Sequence, residues 1–99
     1  MAIQIDPAGR EIGLLRRLVR WRGRRVLEIG CGSGRLTLRL AAFRPASICA
    51  VDPDRRQVRR GRAALPRRHA VLVRYREGTA LALPYRAAEF DCAVFSWAL

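Results

Sequence analysis

The sequence predicts an α/β domain built on a parallel, doubly wound sheet, with helices and strands in three layers. Three observations carry this. Short apolar runs bounded by glycine, proline or aspartate recur along the chain, as strands buried on both faces do. Segments with apolar residues at helical spacing separate them. A glycine cluster joins the first such run to a helical segment, which needs residues that tolerate unusual dihedrals.

The elements follow in order. Residues 1–7 read as an irregular start. Asp6 caps, and Pro7 opens, a helix over 8–21. Its apolar side holds Ile12, Leu15, Leu18 and Val19, and its other side Arg10, Arg16, Arg17 and Arg20. Gly23 ends this N-terminal segment, residues 1–22. Val26 to Ile29 is a central strand, and Gly30-Cys31-Gly32-Ser33-Gly34 is the turn after it. Leu36, Leu40 and Phe43 share one helical face, so a helix runs over about 34–43 and closes at Pro45. Ala46 to Val51 is the second strand and ends at Asp52-Pro53-Asp54. The next helix, 54–64, exposes Arg55, Arg56, Arg59, Arg60 and Arg62. Its thin apolar side is Val58 and Leu65, and Pro66 stops it. Ala70 to Tyr75 is the third strand. Glu77-Gly78-Thr79 turns, residues 80–83 form a helical turn broken at Pro84, and Phe90 to Phe95 is the fourth strand. Right-handed crossovers then place ligands at the carboxyl ends of the strands.

At 99 residues the chain makes one small domain, and 51% hydrophobic residues argue for a packed core over disorder. The formal charge is +12, and every basic residue is arginine. A basic patch for nucleic acid and a coding bias toward arginine both explain this. The absence of lysine favours the bias, since both residues neutralise phosphates. Cys31, Cys49 and Cys92 have no C-x-x-C spacing. They read as reduced, buried thiols of a cytoplasmic protein, with no metal site. His69, after Pro66-Arg67-Arg68, reads as an exposed loop residue. No run reaches the ~18 apolar residues of a membrane span, and no secretory signal is evident.

The glycine loop is the most informative stretch. Its glycines let a ligand approach the backbone, and the helix that follows turns free N–H groups toward the site. A dinucleotide site wants G-x-G-x-x-G, but Arg35 stands where the third glycine would be. The pattern is instead E-x-G-x-G-x-G, over Glu28, Gly30, Gly32 and Gly34. Asp52 ends the second strand, where a carboxylate can accept from both hydroxyls of a ribose. A helix cap is the competing role, and Asp54 can fill it.

A third stretch, Gly78-Thr79-Ala80-Leu81-Ala82-Leu83-Pro84-Tyr85 before Phe90-Asp91, completes a set. In this order and at these separations, the three resemble the motifs of class I S-adenosylmethionine-dependent methyltransferases, type 11, with their Rossmann-like fold. The resemblance runs from about Val26 to Trp97, the cofactor-binding half of the domain. It implies S-adenosyl-L-methionine as cofactor. Gly30, Gly32 and Gly34, with Cys31 and Ser33, would line its methionine part, and Glu28 would brace the loop and approach the amino group. Asp52, beside Pro53, would take the ribose. Thr79, Ala80 and Leu81 would take the adenine, with Thr79 standing where many relatives carry aspartate. Ser96 is a further candidate. Asp91 starts the fourth strand, far from the site, and reads as structural. No catalytic residue is assigned.

The family sheet has strand order 3-2-1-4-5-7-6, of which this chain supplies 3-2-1-4. The expectation is therefore a domain truncated after strand four, whose uncovered edge invites self-association. The expected reaction is methyl transfer to a small-molecule acceptor. The alternatives are a fragment of an NAD(P)-binding oxidoreductase and a basic nucleic-acid module. The arginines of helix 54–64 have little aromatic interleaving, which weakens the last.

Overall fold

The computed structural model describes residues 2–5, 21–79 and 89–96. The helix expected over 8–21, save its last residue Trp21, and the helical turn over 80–83 lie outside these residues.

Among the described residues five strands form one sheet. They are β1 (Ala2–Ile5), β2 (Arg25–Ile29), β3 (Ser47–Asp52), β4 (Val73–Glu77) and β5 (Cys92–Ser96). Among the described residues two helices lie between them, α1 (Arg35–Ala41) and α2 (Arg55–Ala64), with a 3-10 turn over Arg67–His69 before β4. The spatial order is β1-β5-β2-β3-β4, and every pairing is parallel. The four expected strands therefore lie in the expected order, 3-2-1-4.

Two expectations are corrected. Residues 2–5 are not irregular: β1 pairs with β5 from Ala2 opposite Ala93 to Ile5 opposite Ser96. The edge of the fourth strand is consequently covered, and self-association through it loses its basis. A four-residue run is too short to show a strand period, but a neighbouring ladder of unpaired N–H and C=O groups gives it partners. The strand expected over 70–75 also starts later, at Val73, because the 3-10 turn continues through Ala70 and Leu72 (Leu72 N to His69 O, 3.1 Å). His69 itself is half-buried.

β2 and β3 are central, and their side chains are almost all buried. Leu40 of α1, Val58 of α2, and Val26, Ile48, Ala50, Val73 and Val94 of the sheet make one core. Each fully buried aliphatic side chain contributes roughly 1.5–3 kcal/mol. Trp21 packs on Phe43 at a centroid distance of 6.0 Å and joins this core. Leu27, Cys49 and Val51 form a second cluster. Alternation of side chains along each strand divides the sheet between the two clusters. α2 comes close to the sheet at Gly61, where a Cβ would stand 2.8 Å from the Tyr75 ring. All three cysteines are buried free thiols.

At the end of the sheet away from the glycine loop, Arg25 and Asp91 tie β2 to β5. The Asp91 carboxylate accepts from the Arg25 backbone N–H at 2.8 Å and from its guanidinium at 3.2 Å. The guanidinium holds the Asp91 carboxyl down to about 2. Asp91 therefore has the structural place its position suggested.

Candidate functional site

The glycine loop leaves β2 and is stitched to the carboxyl end of β3. Gly30 and Cys31 both donate their N–H to the Val51 carbonyl, at 2.8 and 3.0 Å, and Gly34 N–H closes a turn onto Cys31 O at 3.1 Å. At two positions only glycine fits. Gly30 has φ +81°, and a Cβ there would strike the Ser96 carbonyl of β5. Gly34 has φ +96°, and a Cβ there would strike the Tyr75 hydroxyl of β4. Both dihedrals lie in the left-handed region that side chains disfavour.

Asp52 faces this loop. It is buried, and its Oδ2 accepts from Gly32 N–H at 2.9 Å while its Oδ1 accepts from Asp54 N–H at 2.8 Å. The cap of α2 is supplied by Asp54, whose Oδ1 accepts from Arg56 N–H at 2.9 Å. The competing role for Asp52 is thus filled by its neighbour. Pro53 and Ser33 are exposed at the mouth, and Cys31 is buried beneath it. Burial, with the charges of Glu28 and Asp52, pushes the Cys31 thiol well above its ordinary range, so it stays protonated and is no nucleophile.

Under the loop lies Glu28, with no exposed surface. Thr37 of α1 donates to its Oε1, and Ser96 of β5 donates to its Oε2 at 2.8 Å. Burial raises the Glu28 pKa above its ordinary value, the Thr37 and Ser96 bonds oppose this, and the charge of Asp52 adds to it. Tyr75 also bonds Thr37, and burial drives its phenol up to about 12. Glu28 therefore ties β2, α1 and β5 together directly beneath the bend.

The structure thus brings Glu28, Gly30, Cys31, Gly32, Gly34, Asp52 and Ser96 to one end of the sheet. Ser96 meets the site through its hydrogen bond to Glu28. Thr79 is exposed just after β4, while Ala80 and Leu81 lie outside the described residues. Two members escaped the sequence reading, Thr37 and Tyr75. Each left a signal. Thr37 is a hydroxyl residue three before Leu40 on the buried side of α1, and Tyr75 keeps the inward phase of Val73.

Chemically, the mouth offers a carboxylate at a tight backbone bend. Asp52 already occupies the Gly32 N–H, a donor that a bound pyrophosphate would need. A second carboxyl lies buried behind it. Such a place suits neutral hydroxyls and a cationic group better than a dianion.

The chain matches the methyltransferase domain family over residues 26–99. It is 33% identical to O-methyltransferase cnsE of Penicillium expansum over 89 residues, which is 89% of this chain and 32% of that protein. Among solved structures, it resembles an S-adenosylmethionine-dependent methyltransferase from Mesorhizobium loti at a TM-score of 0.74 and 26% identity, covering 90% of this chain and 40% of that one. The 4+2-cyclase SpnF is similar at a TM-score of 0.69 and 30% identity, covering 86% and 34%. The chain spans about a third of the length of the curated relative that it matches.

Proposed function

From the premise that the chain belongs to the methyltransferase domain family, we propose that it is the cofactor-binding half of an S-adenosylmethionine-dependent methyltransferase. The observation that carries this is the Asp52 carboxylate, buried at the tip of β3 and turned onto Gly32 of the loop.

The donor set fits the cofactor. Asp52 would accept from the ribose hydroxyls, a charge-assisted arrangement. The backbone of Gly30 to Gly34, with Cys31 and Ser33, would border the amino-acid tail. The two carboxyls, Glu28 and Asp52, favour the positive charge of its ammonium and sulfonium. Thr79, with Ala80 and Leu81, would border the adenine, and Pro53 would flank the ribose. Glu28 and Ser96 act from beneath, holding the loop in the shape that admits the ligand.

When bound, S-adenosylmethionine supplies an already activated methyl group. What remains for the protein is mainly alignment of acceptor and methyl, a proximity effect. The acceptor is proposed to be a small molecule, in keeping with a relative named as an O-methyltransferase. The protein is proposed to work in the cytoplasm, where Cys31, Cys49 and Cys92 stay reduced as the free thiols they are in the structure.

Isothermal titration tests the reading. S-adenosylmethionine should bind the folded chain, and Asp52→Ala should weaken it by about tenfold or more, about 1.4 kcal/mol. Binding of NADH by fluorescence, with no binding of S-adenosylmethionine, would move the assignment to an oxidoreductase.

A further inference from the structure

Residues 55–76 hold nine arginines and no Asp or Glu, whereas the preceding 54 residues hold ten arginines and five carboxylates. A uniform coding bias would spread the arginines evenly among the acids. The fold turns this local excess into a surface. α2 buries Val58 and Gly61 against the sheet and leaves Arg56, Arg59 and Arg60 exposed, with the exposed Arg55 on the flank that faces Glu77 of β4. Its ten residues make the row about 15 Å long, comparable with roughly four phosphates of one strand at about 3.4 Å axial spacing. Arg67 and Arg68 of the 3-10 turn, also exposed, continue the row toward β4.

β4 is the outermost strand on this side, and a cavity of about 260 Å³ lies along it. Arg62, Arg74 and Arg76 line this cavity with Tyr75, Val73 and Leu65. The Arg62 guanidinium is held in place there by two bonds to the Tyr75 carbonyl, at 2.7 and 3.2 Å. Residues 55–76 contain no carboxylate, and the flanking ones lie at the mouth end: Asp54 caps α2, and Glu77 pairs with Arg55 at 3.0 Å.

We infer that the outer face of α2, continued by Arg67 and Arg68 and by the β4 edge, docks the phosphate backbone of nucleic acid, apart from the glycine-loop site. Guanidinium groups suit phosphate by their bidentate geometry. Tyr75 is buried, and no aromatic side chain of residues 55–76 is exposed, so no base-stacking platform exists there and contact is with the backbone alone. A lipid surface fits less well. The apolar residues of α2 face the sheet, and the exposed large hydrophobic residue among the described ones is Val71, a single side chain.

The inference stands apart from the cofactor reading, and its test separates the two. Fluorescence anisotropy of the full chain with a short fluorescein-labelled RNA should show binding that falls steeply between about 50 and 200 mM salt, with a log–log slope near −4 if about six phosphates are engaged. Changing the base composition of the RNA should leave the affinity unaltered. The double variant Arg59→Glu, Arg60→Glu should weaken binding by about tenfold or more, while Arg22→Glu with Arg39→Glu, an equal charge change elsewhere, should cost less than about threefold. S-adenosylmethionine affinity, measured on the same samples, should not change. Should the first pair fail to fold, Arg67→Glu with Arg68→Glu is read in the same way. Equal losses in the two double variants, no RNA binding, or tighter binding to phosphatidylserine vesicles than to RNA would each overturn the inference.

Discussion

Asp52 and Gly32, twenty positions apart, are joined by a buried hydrogen bond of 2.9 Å from the glycine amide to the carboxylate. The carboxylate proposed to hold the ribose is therefore also a member of the loop that would hold the amino-acid tail. Binding and local stability are coupled through one side chain.

This coupling sets the first prediction. Asp52→Ala leaves the Gly32 and Asp54 amides without their acceptor and should destabilise the fold by about 1–3 kcal/mol. Asp52→Asn retains one carbonyl acceptor and should cost less. Urea unfolding midpoints measure both. Equal midpoints for Ala and wild type would show that the bond contributes nothing.

The second concerns Gly34 and Tyr75. Gly34→Ala adds a Cβ where the Tyr75 hydroxyl stands, at φ +96°. The left-handed dihedral costs about 1–2 kcal/mol and the overlap about 1–3 more. Tyr75→Phe removes the obstructing oxygen, so the double variant should be more stable than the two single losses predict. Strict additivity in a double-mutant cycle would show that the two groups do not meet.

Glu28 gives a pH prediction. Burial raises its pKa in the folded protein above the ordinary 4.5. The folded state then holds the proton more tightly than the unfolded state. That contribution is complete below the ordinary value and is lost as pH rises through the raised one. Glu28→Gln, which stays neutral, should flatten the decline on that side. Stability measured by urea at successive pH values from about 4.5 upward checks it, and an unchanged slope in the variant would count against a buried, destabilised charge.

Asp91 gives the opposite sign. Its pKa is lowered from 3.8 to about 2 by Arg25. Its contribution is present above the ordinary value and disappears as pH falls through about 2. Asp91→Asn should lose the acid-side dependence in that window, as should Arg25→Met. Acid unfolding followed by circular dichroism reads this, and identical acid limbs in wild type and variants would refute it.

Much of the sheet was legible because its signals are local. Val26 to Ile29 is apolar and runs straight into a glycine cluster, and Asp54 stands one residue before a helix, so strand, bend and cap each appear within a few neighbouring residues. Asp52 was legible for the same reason, since the carboxyl end of a parallel strand is a fixed place in this architecture. The start of β4 was not, because an apolar run from Ala70 does not say that a 3-10 turn will take its first residues.

By itself, the sequence determined the succession from β2 to β5 with the two helices between them, the bend at Gly30 to Gly34 and the acid that faces it. Only the tertiary structure decided that Ala2 to Ile5 would close the edge beside β5, and that Thr37, Ser96 and Tyr75 would meet around Glu28 and Gly34. Those residues come from separate elements, and nothing in the neighbourhood of one names the others. Their meeting is fixed by how strands register and helices pack, and it is this packing that makes a flexible glycine loop into a shaped site.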